Sequence, residues 1–86
     1  MAIRLILYSK PGCHLCEIMA GMVRHVGRTV PLTLDEIDIT SDRVLLTRYQ
    51  TAIPVLMIGD REIARYRVGE LELRRLLAME EGNSAG

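Results

Sequence analysis

The chain has no phenylalanine and no tryptophan, and its only aromatic residues are three tyrosines. A close-packed core must therefore be built from Leu, Ile, Val and Met. Cysteine is nearly absent as well: Cys13 and Cys16 are the only two. Cysteines three positions apart close too small a loop to stabilise a fold much by cross-linking, so their value is chemical. Neither sign of charge is in excess, since 11 Lys and Arg balance 11 Asp and Glu for a formal net charge of zero. That argues against an electrostatic nucleic-acid binder, which carries a basic excess on one face. Arg61, Arg65 and Arg67 are then the solvated side of an edge strand. No apolar run approaches the roughly 20 residues that span a bilayer. Met1-Ala2-Ile3-Arg4 leads straight into a strand-like segment, with no apolar signal core or small-residue cleavage site. The expectation is a cytoplasmic monomer with neither nucleic acid nor membrane as partner. In that compartment a close cysteine pair is redox-active or metal-binding.

What is present is enough apolar residue, 49% of 86, for one small domain that buries roughly 60–65% of its unfolded surface. Ile3 to Tyr8 reads as a strand covered on both faces, with Leu5, Ile6 and Leu7 consecutive. Pro11-Gly12 breaks it. Leu15, Ile18, Met19, Met22, Val23 and Val26 then recur at three and four, the stripe of an amphipathic helix that ends near Gly27 and before Pro31. His25 falls off the stripe and reads as a surface residue. Leu32 to Ile39 is a second strand. Its apolar parity switches between Leu34 and Ile37, which predicts a bulge near Asp35-Glu36 or a later strand start.

Thr40-Ser41-Asp42 supplies N-cap candidates for a short helix, Asp42 to Tyr49, with Val44, Leu45 and Tyr49 inward. Val55 to Ile58 and Glu62 to Arg67 form a hairpin around Gly59-Asp60. Glu70 to Met79 is the last helix, with Leu73, Leu76 and Leu77 inward. Residues 1–79 thus form one domain and residues 80–86 a disordered tail. The order βαβαββα predicts an α/β fold, a mixed sheet with helices on both faces.

Cys13-His14-Leu15-Cys16 lies between the first strand and the first helix. A sulfur at a helix N-terminus meets backbone N–H groups and the positive end of the helix dipole, both of which stabilise a thiolate. Cys13, at the helix edge, is the attacking thiol; Cys16, one turn on and more shielded, resolves the mixed disulfide. Amides of Leu15 and Cys16 are the expected donors to the thiolate, and Lys10 and His14 are nearby cations or ordinary loop residues. Ile53-Pro54, just ahead of a buried strand, is a candidate cis bond. It would open the Ile53 backbone N–H and C=O to a substrate peptide.

Tyr8-Ser9-Lys10-Pro11-Gly12-Cys13-His14-Leu15-Cys16, together with Ala52-Ile53-Pro54-Val55, resembles the glutaredoxin branch of the thioredoxin-like fold, over roughly residues 3 to 78. The resemblance is nearest to small bacterial glutaredoxin-like proteins bearing Cys-His-Leu-Cys. It implies a four-stranded sheet in the order 2-1-3-4 and a thiol–disulfide oxidoreductase acting on protein or low-molecular-weight disulfides, with glutathione as co-substrate and no bound cofactor. Cys13 matches the nucleophile, Cys16 the resolving thiol and Pro54 the cis proline. Ile53 matches the residue whose backbone holds the cysteinyl part of glutathione, and Lys10 a basic residue that meets its glycine carboxylate. The chain departs from the family twice. His14-Leu15 replaces Pro-Tyr between the cysteines. Ala64-Arg65 and Arg67-Val68 stand where a Gly-Gly and acidic cap seat the glutamyl end of glutathione. The competing class is a soft-metal module: two thiolates suit Cu(I), or an iron–sulfur centre without redox turnover, with His14 a poorly placed third ligand.

Overall fold

A computed structural model describes residues 2–84, with side chains as far as Glu80. The chain runs β1 (Ile3–Ser9), α1 (His14–Val26), β2 (Leu32–Asp38), a 3-10 turn (Ile39–Ser41), α2 (Arg43–Tyr49), β3 (Val55–Ile58), β4 (Arg61–Arg65) and α3 (Glu70–Ser84). The four strands form one sheet in the order β2-β1-β3-β4. β1 and β2 are parallel, while β3 runs antiparallel to both β1 and β4. This is the α/β arrangement and strand order that the resemblance implies.

The alternation of side chains along β1 divides the core in two. Ile3, Leu5 and Leu7 face α1 and α3, packing with Met19, Ala20, Val23, Val26, Leu73 and Leu77. Ile6 and Tyr8 face α2, with Ile39, Tyr49, Val55 and Met57. The second cluster also takes in Ala52, Ile53 and both cysteines, so the cysteine pair borders the core on the α2 side.

Four local expectations are corrected. β1 and β2 pair without interruption from Ile3–Leu32 to Ser9–Asp38. The parity switch in β2 reflects which face is covered along the strand and needs no bulge. Among the described residues the register shift lies instead between Leu56 and Met57, opposite β4. In α2 the inward residues are Leu45, Leu46 and Tyr49, while Val44 is 71% exposed. Ile18, counted in the α1 stripe, is half exposed; Cys16 and Ala20 occupy the buried face. Sequence pattern ends α3 at Met79, whereas the helix continues to Ser84. Glu80, in that added stretch, pairs with Arg61 at the start of β4. The rest of the expected tail, Ala85 and Gly86, lies outside the described residues.

Candidate active site

Lys10 to Cys13 makes a tight turn closed by the Cys13 N–H, which donates to the Lys10 carbonyl at 3.3 Å. Pro11 sets φ at the second position, and Gly12 has φ of +77° at the third. A type II turn requires this pair of conformations, and Gly adopts the positive φ without a Cβ clash. The turn delivers Cys13 to the N-cap of α1 in an extended conformation. Its carbonyl accepts the Glu17 N–H at 3.1 Å, and its sulfur accepts the Cys16 N–H at 3.1 Å. Cysteine thus takes the place that Ser or Asp fills at most N-caps. Of the two expected amides, that of Cys16 makes this bond; among the described residues the Leu15 amide makes none to the sulfur. Cys13 is half-buried and Cys16 only 4% exposed. The two are joined as a disulfide with Cα atoms 5.2 Å apart, an ordinary span for such a bond. His14 points its Nδ1 at Glu17, 3.9 Å away, with both side chains in solvent.

On one flank of the cysteines lies the loop before β3. The Ile53–Pro54 peptide bond is cis, and both residues are buried. The expected open backbone at Ile53 is corrected in part. Its N–H donates to the Tyr49 carbonyl at 3.2 Å, because α2 ends directly beside it. The Ile53 carbonyl has no backbone partner among the described residues. Tyr49 stacks on Tyr8 with ring centroids 4.7 Å apart, and the Arg48 guanidinium lies 5.5 Å from the Tyr49 ring centre. Both tyrosines belong to the same apolar cluster as the cysteines.

Tyr66 completes that flank, and the sequence reading missed it. β4 stops at Arg65, and the Arg67 N–H reaches back to the Arg65 carbonyl at 2.8 Å, closing a three-residue turn. Tyr66, at its centre, has φ of +69°, the only non-glycine residue with positive φ among the described residues. A bulky side chain there costs about 1–3 kcal/mol. Two bonds hold it: its N–H donates to the Pro54 carbonyl at 2.8 Å, and its hydroxyl to the Thr51 carbonyl at 3.1 Å. Arg65 beside it is tied to Glu62 by two hydrogen bonds of 3.0 and 2.7 Å. The sequence did hold one signal. Aromatic residues are scarce, and each of the three turns out to lie at this end of the sheet.

On the other flank, between α1 and β2, is a groove of about 410 Å³ lined by Lys10, both cysteines, Glu17, Arg24, Glu36 and Asp38 among others. Ile53 and Pro54 do not line it. Arg24 and Glu36 pair across it at 2.6 Å. The Asp38 carboxyl is held below the usual carboxylate range by the Thr40 hydroxyl and then the Thr40 N–H, both of which it accepts. The cysteines thus stand between a polar groove carrying Lys10 and an apolar flank carrying Ile53 and Pro54. Among the described residues no cluster of three or more His, Cys, Asp or Glu is placed to hold a metal ion.

The sequence matches the Glutaredoxin-like domain (DUF836) family over residues 4–78. The chain belongs to this glutaredoxin-like family. No curated protein matches it. Among solved structures it is similar to the structural-genomics target XcR50 from X. campestris, with 28% identity and a TM-score of 0.71 over 87% of this chain and 96% of that one. It is also similar in fold to Fasciola hepatica thioredoxin, at 19% identity and a TM-score of 0.60 over 91% of this chain and 80% of that one. Thioredoxin 1 from Thermosipho africanus gives 15% and 0.58, over 91% and 98%. The glutaredoxin-like domain here is therefore built on the thioredoxin fold, with a cysteine pair close enough to form a disulfide.

Proposed function

We propose that this protein is a cytoplasmic thiol–disulfide oxidoreductase that reduces protein or low-molecular-weight disulfides through Cys13 and Cys16. The observation that carries the reading is the placement of the Cys13 sulfur: at the N-cap of α1, partly open to solvent, accepting the Cys16 N–H at 3.1 Å. A free cysteine has a pKa of about 8.5 and is only a few per cent thiolate at neutral pH. Lowering that by two units requires about 2.7 kcal/mol of preferential stabilisation of the anion. A helix N-terminus in a partly buried setting supplies up to about 2 kcal/mol. A hydrogen bond to a charged group supplies about 1.5–3 kcal/mol more. The two together reach the requirement.

In the reduced protein the Cys13 thiolate attacks one sulfur of the substrate disulfide. A mixed disulfide forms, and the other substrate sulfur leaves as a thiolate. Cys16 then loses its proton and attacks the Cys13 sulfur. The Cys13–Cys16 disulfide forms, the second substrate sulfur departs, and two electrons have passed to the substrate. A low-molecular-weight thiol or a protein dithiol returns the pair to the reduced form. Lys10, Ile53 and Pro54 are the proposed binding contacts: the motif resemblance implies them, with Lys10 in the groove on one side of the cysteines and Ile53 in the apolar cluster on the other. Glutathione is the first reductant to try; Ala64-Arg65 and Arg67-Val68 replace the Gly-Gly and acidic cap that the family resemblance implies for its glutamyl end.

The test is trapping. Cys13→Ser abolishes exchange with a model disulfide, and Cys16→Ser accumulates a mixed disulfide at Cys13, read by intact mass. Unchanged turnover in Cys13→Ser, or a mixed disulfide that forms on Cys16, would overturn the proposal.

A further inference from the structure

We propose that the outer face of α3 pairs two copies of this chain, antiparallel, into a weak dimer, in place of the monomer expected from the sequence. The proposal is independent of the oxidoreductase reading, since none of the residues it uses lines the cysteine groove.

The rest of the molecule holds α3 from beneath and on both flanks. Leu73 and Leu77 are fully buried beneath it. Glu70 and Arg74 tie one flank to His25 and Thr29, at the end of α1. On the other flank Leu76 packs against the core and Glu80 pairs with Arg61 of β4. What remains is Leu71, Glu72, Arg75, Ala78 and Met79, all exposed. At 3.6 residues per turn they fall within about 60° of Arg75 around the helix axis. Leu71 is 80% and Met79 61% exposed, two large apolar groups about 12 Å apart along the axis. Glu72 and Arg75 have no ion-pair partner among the described residues.

The order of these residues complements itself. In an antiparallel pair centred on Arg75, Leu71 meets the partner's Met79, and Met79 meets the partner's Leu71. All four apolar side chains are then covered. Each Arg75 turns toward the partner's Glu72, one helical turn from the centre, and so away from the partner's Arg75. Parallel pairing would set Glu72 on Glu72 and Arg75 on Arg75. The sheet edges offer no rival route to a dimer. β2 carries Asp35, Glu36 and Asp38 and no base, and antiparallel self-pairing of β4 would set Arg61 against Arg65; like charges directly opposite destabilise a sheet. A helix face about 12 Å long covers well under the roughly 800 Å² per partner of a standard interface. The dimer is therefore weak, with a dissociation constant between about 1 μM and 1 mM.

Sedimentation equilibrium from about 10 μM to about 2 mM tests it, a range that brackets such a constant. Wild-type protein should move from monomer toward dimer mass as concentration rises. Glu72→Arg and Arg75→Glu each set like charges across the pair and should weaken association by at least about tenfold. Mixed one to one, the two variants should pair with each other about as tightly as wild type, because one copy then carries two bases and the other two acids. Recovery on mixing also shows that both variants are folded. Leu71→Ser changes no charge and removes a side chain that touches little in the monomer; it too should weaken the dimer by at least about tenfold, the loss of one good apolar contact at each of two equivalent positions. Wild-type protein that stays monomeric throughout, a dimer that keeps its strength in Leu71→Ser or in either charge variant, or charge variants that stay apart when mixed would each overturn the proposal.

Discussion

The reactivity assigned to Cys13 depends on Gly12, a neighbour with no chemistry of its own. Gly12 has φ of +77° and nothing within 4 Å of where a Cβ would stand, so a side chain there meets conformational strain and no crowding. Gly12→Ala should cost about 1–2 kcal/mol, read as a lowered midpoint in urea denaturation; an unchanged midpoint would mean that the turn relaxes without loss. Val44 is the opposite case. At 71% exposed it contributes little to the core, and Val44→Ala should shift stability by no more than about 0.5 kcal/mol. Both residues show where sequence reading stops. Gly12 was legible because Pro-Gly specifies its own turn. Tyr66 was not, because no local rule puts a tyrosine at positive φ. Two hydrogen bonds to a loop more than ten residues earlier hold it there.

Between elements, the clearest device is a clamp joining the C-terminal end of α1 to the first turn of α3. His25 Nε2 lies 3.0 Å from Glu70 Oε1. Arg74 donates to the other Glu70 oxygen at 3.0 Å and to the Thr29 hydroxyl at 2.7 Å. The Arg74 bond chiefly holds the Glu70 carboxyl below its ordinary value; desolvation opposes it, and smaller effects of His25 add to the lowering. A carboxylate with a folded pKa below its unfolded one contributes stability at pH above the unfolded value, and that contribution is lost as pH falls through the folded value. Glu70→Gln should therefore lower Tm at pH 7, and the gap to wild type should close as pH drops below about 4, the ordinary range of a glutamate. A gap constant from pH 7 to 3 would show that Glu70 acts by packing alone. His25 is the surface residue that its place off the apolar stripe predicts, half exposed, but its partner lies 45 positions away and no local pattern announces the pair. The short-range signals read better. Asp42 caps α2 by accepting the Val44 and Leu45 N–H groups at 2.8 and 3.2 Å, and Gly27 follows directly after α1.

At the scale of the molecule, a sheet of four strands separates two small cores made almost wholly of aliphatic residues, and the site sits at one end of both. A chain of 86 residues has a total stability of about 4–13 kcal/mol by the usual per-residue figure. Leu56, fully buried in the larger core, should cost about 2–5 kcal/mol when cut to alanine. At about 4–8 °C per kcal/mol for a domain of this size, Tm should fall by at least about 8 °C; a fall of under about 4 °C would mean the core closes over the gap. The architecture was legible because the apolar runs of β1 and β3, the helical stripe of α1 and the cysteine turn agree with one another. The flank built from Ile53, Tyr49 and Tyr66 was not, since its hydrogen bonds depend on where α2 and β4 end in space. The account as a whole turns on the acidity of the Cys13 thiol in the reduced protein, measured by the pH dependence of its alkylation rate with Cys16 replaced by serine. A pKa at least a full unit below the free-cysteine value of about 8.5 is predicted; a pKa at or above that value would contradict the account.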